Sequence, residues 1–416
     1  MIGIFFRNLL RDLIRQPLRT ALTLSGVVWG TFSVVLLLAF GDSVGKAQIK
    51  RFHGMGQGIV LVFPSQTTLP WQGFLKGKAV RITPETVEDI PAKVPGIELI
   101  SPEFVGSRLI RYGRNEFRDP VRGANPQFEL MRNTIAEKGR FIDPEDMADR
   151  KRVCFIGDVL AKDLFVTDEP VGKTVFIDSV PFTVIGVMRV KLQSSNYNGQ
   201  RDERCAFIPW TTYASLYGTK YVSNIIFRPL DTSRSKAVMQ DIKVHLSKLI
   251  GFSPADPDAL GIWDTLDFEK QFTTFFLAFT IFLGVIGTFT LLVGGVGVAS
   301  IMRVVVDERT REIGVKLAVG ARRRTILWQF FSESLAIMLI GGLAGFGLAA
   351  GVMQAVKALA RSSSGDLSFT GFVGIPVLNP VVVVSTVLIL IGIGVVSGII
   401  PARTAASTDP IEALRK

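Results

Sequence analysis

The sequence predicts a membrane α-helical protein: four transmembrane helices, with a large α+β extracytoplasmic domain inserted between helices 1 and 2. Three observations predict it. The apolar residues gather into four blocks, bounded by residues 19 and 42, 270 and 303, 324 and 357, and 366 and 403, and only Glu333 interrupts any of them with a charge. Each block can cross a bilayer, because about 20 apolar residues span a hydrocarbon core about 30 Å thick, and no soluble core would accommodate four such helices. The basic residues fall between the blocks in alternate gaps: Arg7, Arg11, Arg15 and Arg19 before the first, Arg303, Arg309, Arg311, Lys316 and Arg322–Arg323–Arg324 between the second and third, and Arg403, Arg415 and Lys416 after the fourth. That asymmetry is the positive-inside pattern of a chain with both termini in the cytoplasm.

The elements follow in order. Residues 1–17 read as an amphipathic interfacial helix, with Ile4, Leu10 and Ile14 on one face, Arg7, Arg11 and Arg15 on another, and Pro17 at its end. Residues 18–41 form the first transmembrane helix. It is too long for a signal-peptide core, and Leu38-Ala39-Phe40-Gly41 lacks a small-x-small cleavage site. Residues 42–269 read as the folded external domain. Its strand-like runs include 58–63, 152–156 and 181–187; Thr83-Pro84 starts a helix, and Val238, Ile242, Leu246 and Leu249 mark another between 235 and 250. Residues 270–303, 325–356 and 379–400 are the remaining transmembrane helices. A cytoplasmic coupling loop at 304–324, a short external loop at 357–378 and a cytoplasmic tail at 401–416 complete the chain.

Small residues recur in the spans. Gly26 and Gly30 give the first a small-xxx-small face, and Gly294 and Gly297 give the second another. Lipid supplies no hydrophobic drive for helix association, so such faces serve close backbone packing within a chain or between two copies.

Recognisable catalysis is missing. Val171-Gly172-Lys173-Thr174 lacks the earlier glycine of a phosphate-binding loop, since Thr167 stands there. Gly172 reads instead as a turn into a strand at 174–177. His53, His245, Cys154 and Cys205 have no metal-ligand spacing. The two cysteines are expected close enough to touch, as buried free thiols. The net charge of +11 carries no nucleic-acid motif, so no nucleic-acid partner is expected. Glu333 reads as a helix-end carboxylate paired with a nearby arginine, because a charge at mid-membrane costs about 2.5–3.5 kcal/mol.

The most informative stretch is 306–322, where Ile313, Val315, Leu317 and Val319 alternate with charges and two short elements meet at Gly314 or Gly320. An apolar face with charged flanks suits docking into a groove of a soluble partner. Here the sequence resembles the MacB/FtsX-like ABC transporter permeases, of macrolide-exporter type. The resemblance rests on Leu291-Leu292-Val293-Gly294-Gly295-Val296-Gly297, Glu308-Arg309-Thr310-Arg311-Glu312-Ile313-Gly314, Ala318-Val319-Gly320-Ala321-Arg322 and the ending Pro401-Ala402-Arg403-Thr404-Ala405-Ala406 through Asp409-Pro410-Ile411-Glu412-Ala413-Leu414-Arg415. Leu18-Arg19-Thr20-Ala21-Leu22-Thr23, Pro170-Val171-Gly172-Lys173-Thr174 and Val184-Ile185-Gly186-Val187 extend it upstream.

The resemblance implies a permease in the bacterial inner membrane, driven by a cytoplasmic ABC ATPase. It implies a dimer with a second copy or close relative, and a periplasmic adaptor partner. Its coupling element falls on Glu308, Arg309, Thr310, Glu312, Ile313, Gly314, Val315 and Lys316, with Ile313 and Val315 as buried anchors and Glu308, Arg309 and Glu312 in charged contacts. The dimer contacts fall on Gly26, Gly30, Gly294 and Gly297. Without a fused ATPase, a separate one is expected to bind ATP and Mg, and this chain no cofactor. Arg303 and Asp307 depart from the pattern by adding charge at the end of the second span. The expected function is efflux or export of an antibiotic, peptide or toxin. The alternatives are mechanotransmission and signalling, or lipoprotein release; a membrane enzyme is disfavoured by the missing catalytic residues.

Overall fold

The structure, a computed structural model, describes residues 17–193, 196, 197, 199, 201–362, 374–409 and 413. The helix expected over 1–17 lies outside them except for Pro17, as do parts of the external loop and the tail. The chain divides into two compact units: residues 48–272 form one, and the helices on either side of that insertion form the other.

In chain order the elements are α1 (Pro17–His53), β1 (Val60–Pro64), α2 (Pro84–Lys93), β2 (Ile97–Tyr112), β3 (Asn115–Ala124), α3 (Phe128–Met131), β4 (Ala136–Gly139), α4 (Pro144–Ala148), β5 (Val153–Ile156), α5 (Asp158–Phe165), β6 (Thr174–Ile177), β7 (Val180–Met188), β8 (Ala206–Pro209), α6 (Trp210–Tyr217), β9 (Asn224–Pro229), α7 (Ser235–Ile250), β10 (Leu260–Asp264), α8 (Thr265–Glu308), α9 (Thr310–Ala318), α10 (Arg323–Ser362) and α11 (Pro380–Ala406). Among the described residues, four helices are long and apolar enough to cross a membrane. They outrun the apolar blocks: α1 continues past Asp42 to His53, because charged residues leaving the bilayer do not end a helix. What ends it is the run of Gly54, Gly56 and Gly58, the last two at φ +130° and +63°.

The sheet runs β10-β1-β9-β2-β3-β8-β5-β7-β4, with β6 pairing both β2 and β7. Strand β2 is long enough to serve two neighbours, pairing β9 through its first half and β3 through its second. Most ladders are antiparallel; β3–β8 and β5–β7 are parallel. Alternation sorts the side chains. Val60 and Val62 enter a core with Val87, Ile90, Leu160, Leu164, Ile242 and Leu246 of the covering helices. Leu61 enters a second core with Phe128, Met131, Phe141, Phe155 and Phe207. The expected turn signals hold: Thr83 caps α2 with Pro84 following, and Gly172, at φ +84°, precedes β6.

The same alternation overturns one expectation. Cys154 and Cys205 are both buried free thiols, but they do not meet. The β5–β8 register places Phe155 opposite Phe207 and Ile156 opposite Ala206, so Cys205 falls beside Gly157, three residues along from Cys154. Three residues are about 10 Å of strand, and the odd step puts the thiols on opposite faces. Cys154 joins the first core and Cys205 the second.

Candidate functional site

The stretch between the second and third spans, expected as a loop of two short elements, is largely helical. Helix α8 runs unbroken to Glu308, Arg309 caps the next helix, and α9 follows at once. A turn at Gly320, φ +99°, then leads into α10, with the Ala321 N–H donating to the Lys316 carbonyl at 2.9 Å. Gly320 is therefore the joint, while Gly314 is buried within the helix.

Helical spacing redistributes the expected roles. Ile313 is 2% exposed and packs among Met302, Val306, Ile326 and Phe330 of its own chain. It is thus no free anchor for a partner, which corrects the expectation. Val315 and Val319 are 47% and 84% exposed. Standing four apart, they share a face, and Glu312, Lys316 and Arg322 around them are also exposed. Arg309, expected to reach outward, lies 3.7 Å from Glu333 on α10. Gln329 donates to Glu333 at 3.3 Å, and Lys316 donates to Gln329 at 3.5 Å. Thr310 donates to the Val306 carbonyl at 3.0 Å. Glu308 is exposed at the end of α8. Ile313 and the chain from Lys316 through Gln329 and Glu333 to Arg309 join α9 to the third span.

The glycine faces resolve as well. A Cβ on Gly294 would lie 2.7 Å from the Gly26 carbonyl oxygen, and one on Gly30 would lie 2.6 Å from the Leu291 Cα. These three glycines serve packing of the first span on the second within one chain. Gly297 has nothing within 4 Å of such a Cβ. It lines an apolar groove of about 790 Å³ with Leu22, Trp29, Phe289 and Val293. Sequence reasoning grouped all four as packing or dimer contacts; Gly30 serves only the first role, Gly26 and Gly294 line the groove as well as packing, and Gly297 lines it without packing on the first span.

The profile of the MacB-like periplasmic core domain matches residues 20–244, and that of the FtsX-like permease C-terminal domain matches 284–410. The chain belongs to the MacB/FtsX-like family of ABC transporter permeases. It is 32% identical to the macrolide export ATP-binding/permease protein MacB of Rhodospirillum rubrum over 413 residues, covering 97% of this chain and 59% of that one. The MacB of Wolinella succinogenes is also 32% identical, over 408 residues, with the same coverage of 97% and 59%. The permease therefore spans about three-fifths of the length of the curated relatives it matches. Among solved structures, the periplasmic region of MacB from Actinobacillus actinomycetemcomitans matches at 17% identity and a TM-score of 0.42, over 53% of this chain and 94% of that one. The extracellular domain of the noncanonic ABC-type transporter YknZ from Gram-positive bacteria matches at 20% identity and 0.41, over 50% and 100%. The permease is thus a multi-pass inner-membrane protein whose sheet-rich unit is the family's periplasmic domain.

At the root of that domain the permease holds a buried charge network that sequence reasoning missed. The side chains of Glu103, Arg122, Arg132 and Asp202 are fully buried. Arg132 Nη2 donates to both Asp202 oxygens, at 2.9 and 2.8 Å, and its Nη1 donates to the Met55 carbonyl, just beyond the end of α1. Lys191 Nζ lies 2.7 Å from Asp202 Oδ2. Arg122 Nη1 donates to Glu103 at 2.7 Å, and Tyr197 Oη lies within 2.9 Å of both Glu103 oxygens. Burial alone would raise the Asp202 carboxyl, but Arg132, Lys191 and Arg122 outweigh it and hold the group well below the usual carboxylate range. Burial, together with the neighbouring arginines, pushes Lys191 down to about 8. Around the network, Phe52 stacks on Phe268 at 4.8 Å, and a Cβ on Gly54 would collide with the Leu192 carbonyl. These contacts clamp the end of α1 to the domain. The network's residues come from five separate segments, so no spacing announces them. The one local signal is Arg122 within the apolar run Val121-Arg122-Gly123-Ala124.

Proposed function

We propose that this chain is the permease subunit of an ATP-driven ABC transporter, and that α9 receives the stroke of an ATPase borne on a separate chain. In this reading both termini and α9 lie in the cytoplasm, which the placement of the arginines supports. The observation that carries it is the division of labour within α9: Ile313 and the Arg309–Glu333 pair fix the helix to the bundle, while Val315 and Val319 face outward among charges. Apolar anchors give such a contact affinity, and charges set its register. ATP and Mg bind the ATPase, and this chain holds no cofactor. A second permease, the same chain or a close relative, packs along the groove at Gly297, and a periplasmic adaptor continues the path outward. The work performed is efflux or export of a substrate such as an antibiotic, peptide or toxin, a reading supported by the macrolide-export relatives.

The test is ATP hydrolysis by the ATPase that co-purifies with the chain, compared between wild type and Glu312→Arg. Reversing an interfacial charge costs about 2–5 kcal/mol where the pair is buried in the contact, so stimulated hydrolysis should fall at least about tenfold. Unchanged stimulation would show that α9 is not the coupling element.

A further inference from the structure

A pocket of about 700 Å³ lies in the sheet-bearing unit, lined by the end of α1 and by the segments following α3 and β7. Lys50, Arg189, Lys191 and Arg228 line it, and none of its lining residues is acidic. His53 forms part of the wall, with its Nε2 3.0 Å from Glu269 of a neighbouring pocket. Lys191 is held from behind by Asp202 and by the Arg132 carbonyl, at 2.7 and 2.8 Å. Among the described residues no carboxylate pairs with Lys50, Arg189 or Arg228. Arg228 spends Nη2 on the Leu130 carbonyl at 2.9 Å, and its Nε is buried without a partner.

Converging cations without counter-charge repel one another, and the network behind Lys191 does not relieve them: its own two cations, Arg122 and Arg132, already match its two carboxylates, Glu103 and Asp202, which leaves the charge of Lys191 in excess. An anion in the pocket removes that cost. Guanidinium forks match phosphate oxygens in pairs, and a lysine adds a point charge. Leu130 and Val190, 59% and 54% exposed, flank the charges with apolar surface, which a purely ionic ligand would not need. Lys50 follows Asp42 by eight residues within α1, about 12 Å of helix rise from the end of the apolar block. A headgroup layer is about 5–8 Å deep on each side of the core, so that rise sets Lys50 at or just beyond its outer edge.

We propose that this pocket binds a phosphate group, carried either on a phospholipid headgroup or on a soluble phosphate ester. The site goes beyond the coupling role of α9 and does not rest on it. The test is isothermal titration of the full chain in dodecyl maltoside with inorganic phosphate and, separately, with dihexanoyl phosphatidylglycerol. Both should bind saturably. Binding of each should weaken about tenfold or more in Arg189→Gln/Arg228→Gln, and lysine at both positions should restore part of it. The exposed Lys50→Gln should also weaken binding, and it decides the question if the double variant does not fold. Lipid binding tighter than phosphate by tenfold or more assigns the headgroup; equal affinities assign a soluble ester. No saturable binding to wild type, or unchanged affinity in the glutamine variants, overturns the site.

Discussion

The root of the periplasmic domain and the short helix α9 both gather charge next to a membrane-spanning helix, and they use it in opposite ways. At the root, Arg132, Asp202, Arg122 and Glu103 are sealed from water and pair with one another, and Arg132 also donates to the Met55 carbonyl. At α9, Glu312, Lys316 and Arg322 stand exposed around two uncovered valines. A buried network is costly to assemble and costlier to break, because removing one member leaves another charged and dry. Exposed charges contribute little to their own fold. Charge at the root therefore fixes the geometry of the periplasmic domain itself, whereas charge on α9 is available to another molecule.

The largest effect expected from that contrast is at Arg132. Arg132→Ala leaves Asp202 short of its bidentate partner and frees the Met55 carbonyl, and should destabilise the periplasmic domain by about 3–5 kcal/mol. Thermal unfolding of the detergent-solubilised chain, followed by tryptophan fluorescence with limited proteolysis, reads it. Replacing the coupled charges together, as Arg132→Met/Asp202→Leu/Lys191→Met, should recover much of the loss, since Lys191 has Asp202 as its carboxylate partner. If the single variant unfolds like wild type, the buried network does not hold the domain together as argued.

A smaller effect separates two glycines three residues apart in the second span. Gly294→Ala forces a methyl toward the Gly26 carbonyl oxygen, 2.7 Å away, and should cost about 1–3 kcal/mol through overpacking. Gly297→Ala meets nothing within 4 Å, so unfolding in micelles should be unchanged or slightly delayed, as alanine favours helix. Equal losses at both would mean that the groove at Gly297 is filled within one chain, and would remove it as a surface for a second copy.

Much of this architecture was legible in the sequence, and the reasons are physical. Four apolar blocks have one solution in a bilayer, and the cap at Thr83 and the spacing of Val238, Ile242 and Leu246 act locally, so they survive folding. The motif around Glu312 located the candidate site but not its internal geometry: the stretch expected as a loop of two short elements holds a helix, with Ile313 turned into its own bundle. The root was invisible because Glu103 and Arg122 on two strands meet Arg132, Lys191 and Asp202 on separate connecting segments only once the domain has folded. Cys154 and Cys205 show the same limit, since a one-residue difference in parity separates two thiols that the sequence left adjacent in expectation.

The smallest effect on stability falls at Val319, where the reading of α9 is most exposed to refutation. Ile313 and Val319 are both branched apolar residues of the same short segment, so a partner-docking role assigned from sequence would treat them alike. Ile313→Ala removes a side chain that is 2% exposed in the bundle, and should cost about 2–4 kcal/mol in this chain whether or not any partner exists. Loss of coupling in that variant would consequently be uninformative. Val319 is 84% exposed at the C-terminal end of α9, where a cation suits the helix dipole. Val319→Lys should change stability by no more than about 0.5 kcal/mol. Placed in an apolar contact, however, its ammonium would be stripped of water without a partner, and stimulation of the ATPase should collapse while the unfolding curve superimposes on wild type. If Val319→Lys couples normally and Ile313→Ala does not, the outward face of α9 is solvated surface, and the docking site must be sought elsewhere on the cytoplasmic side.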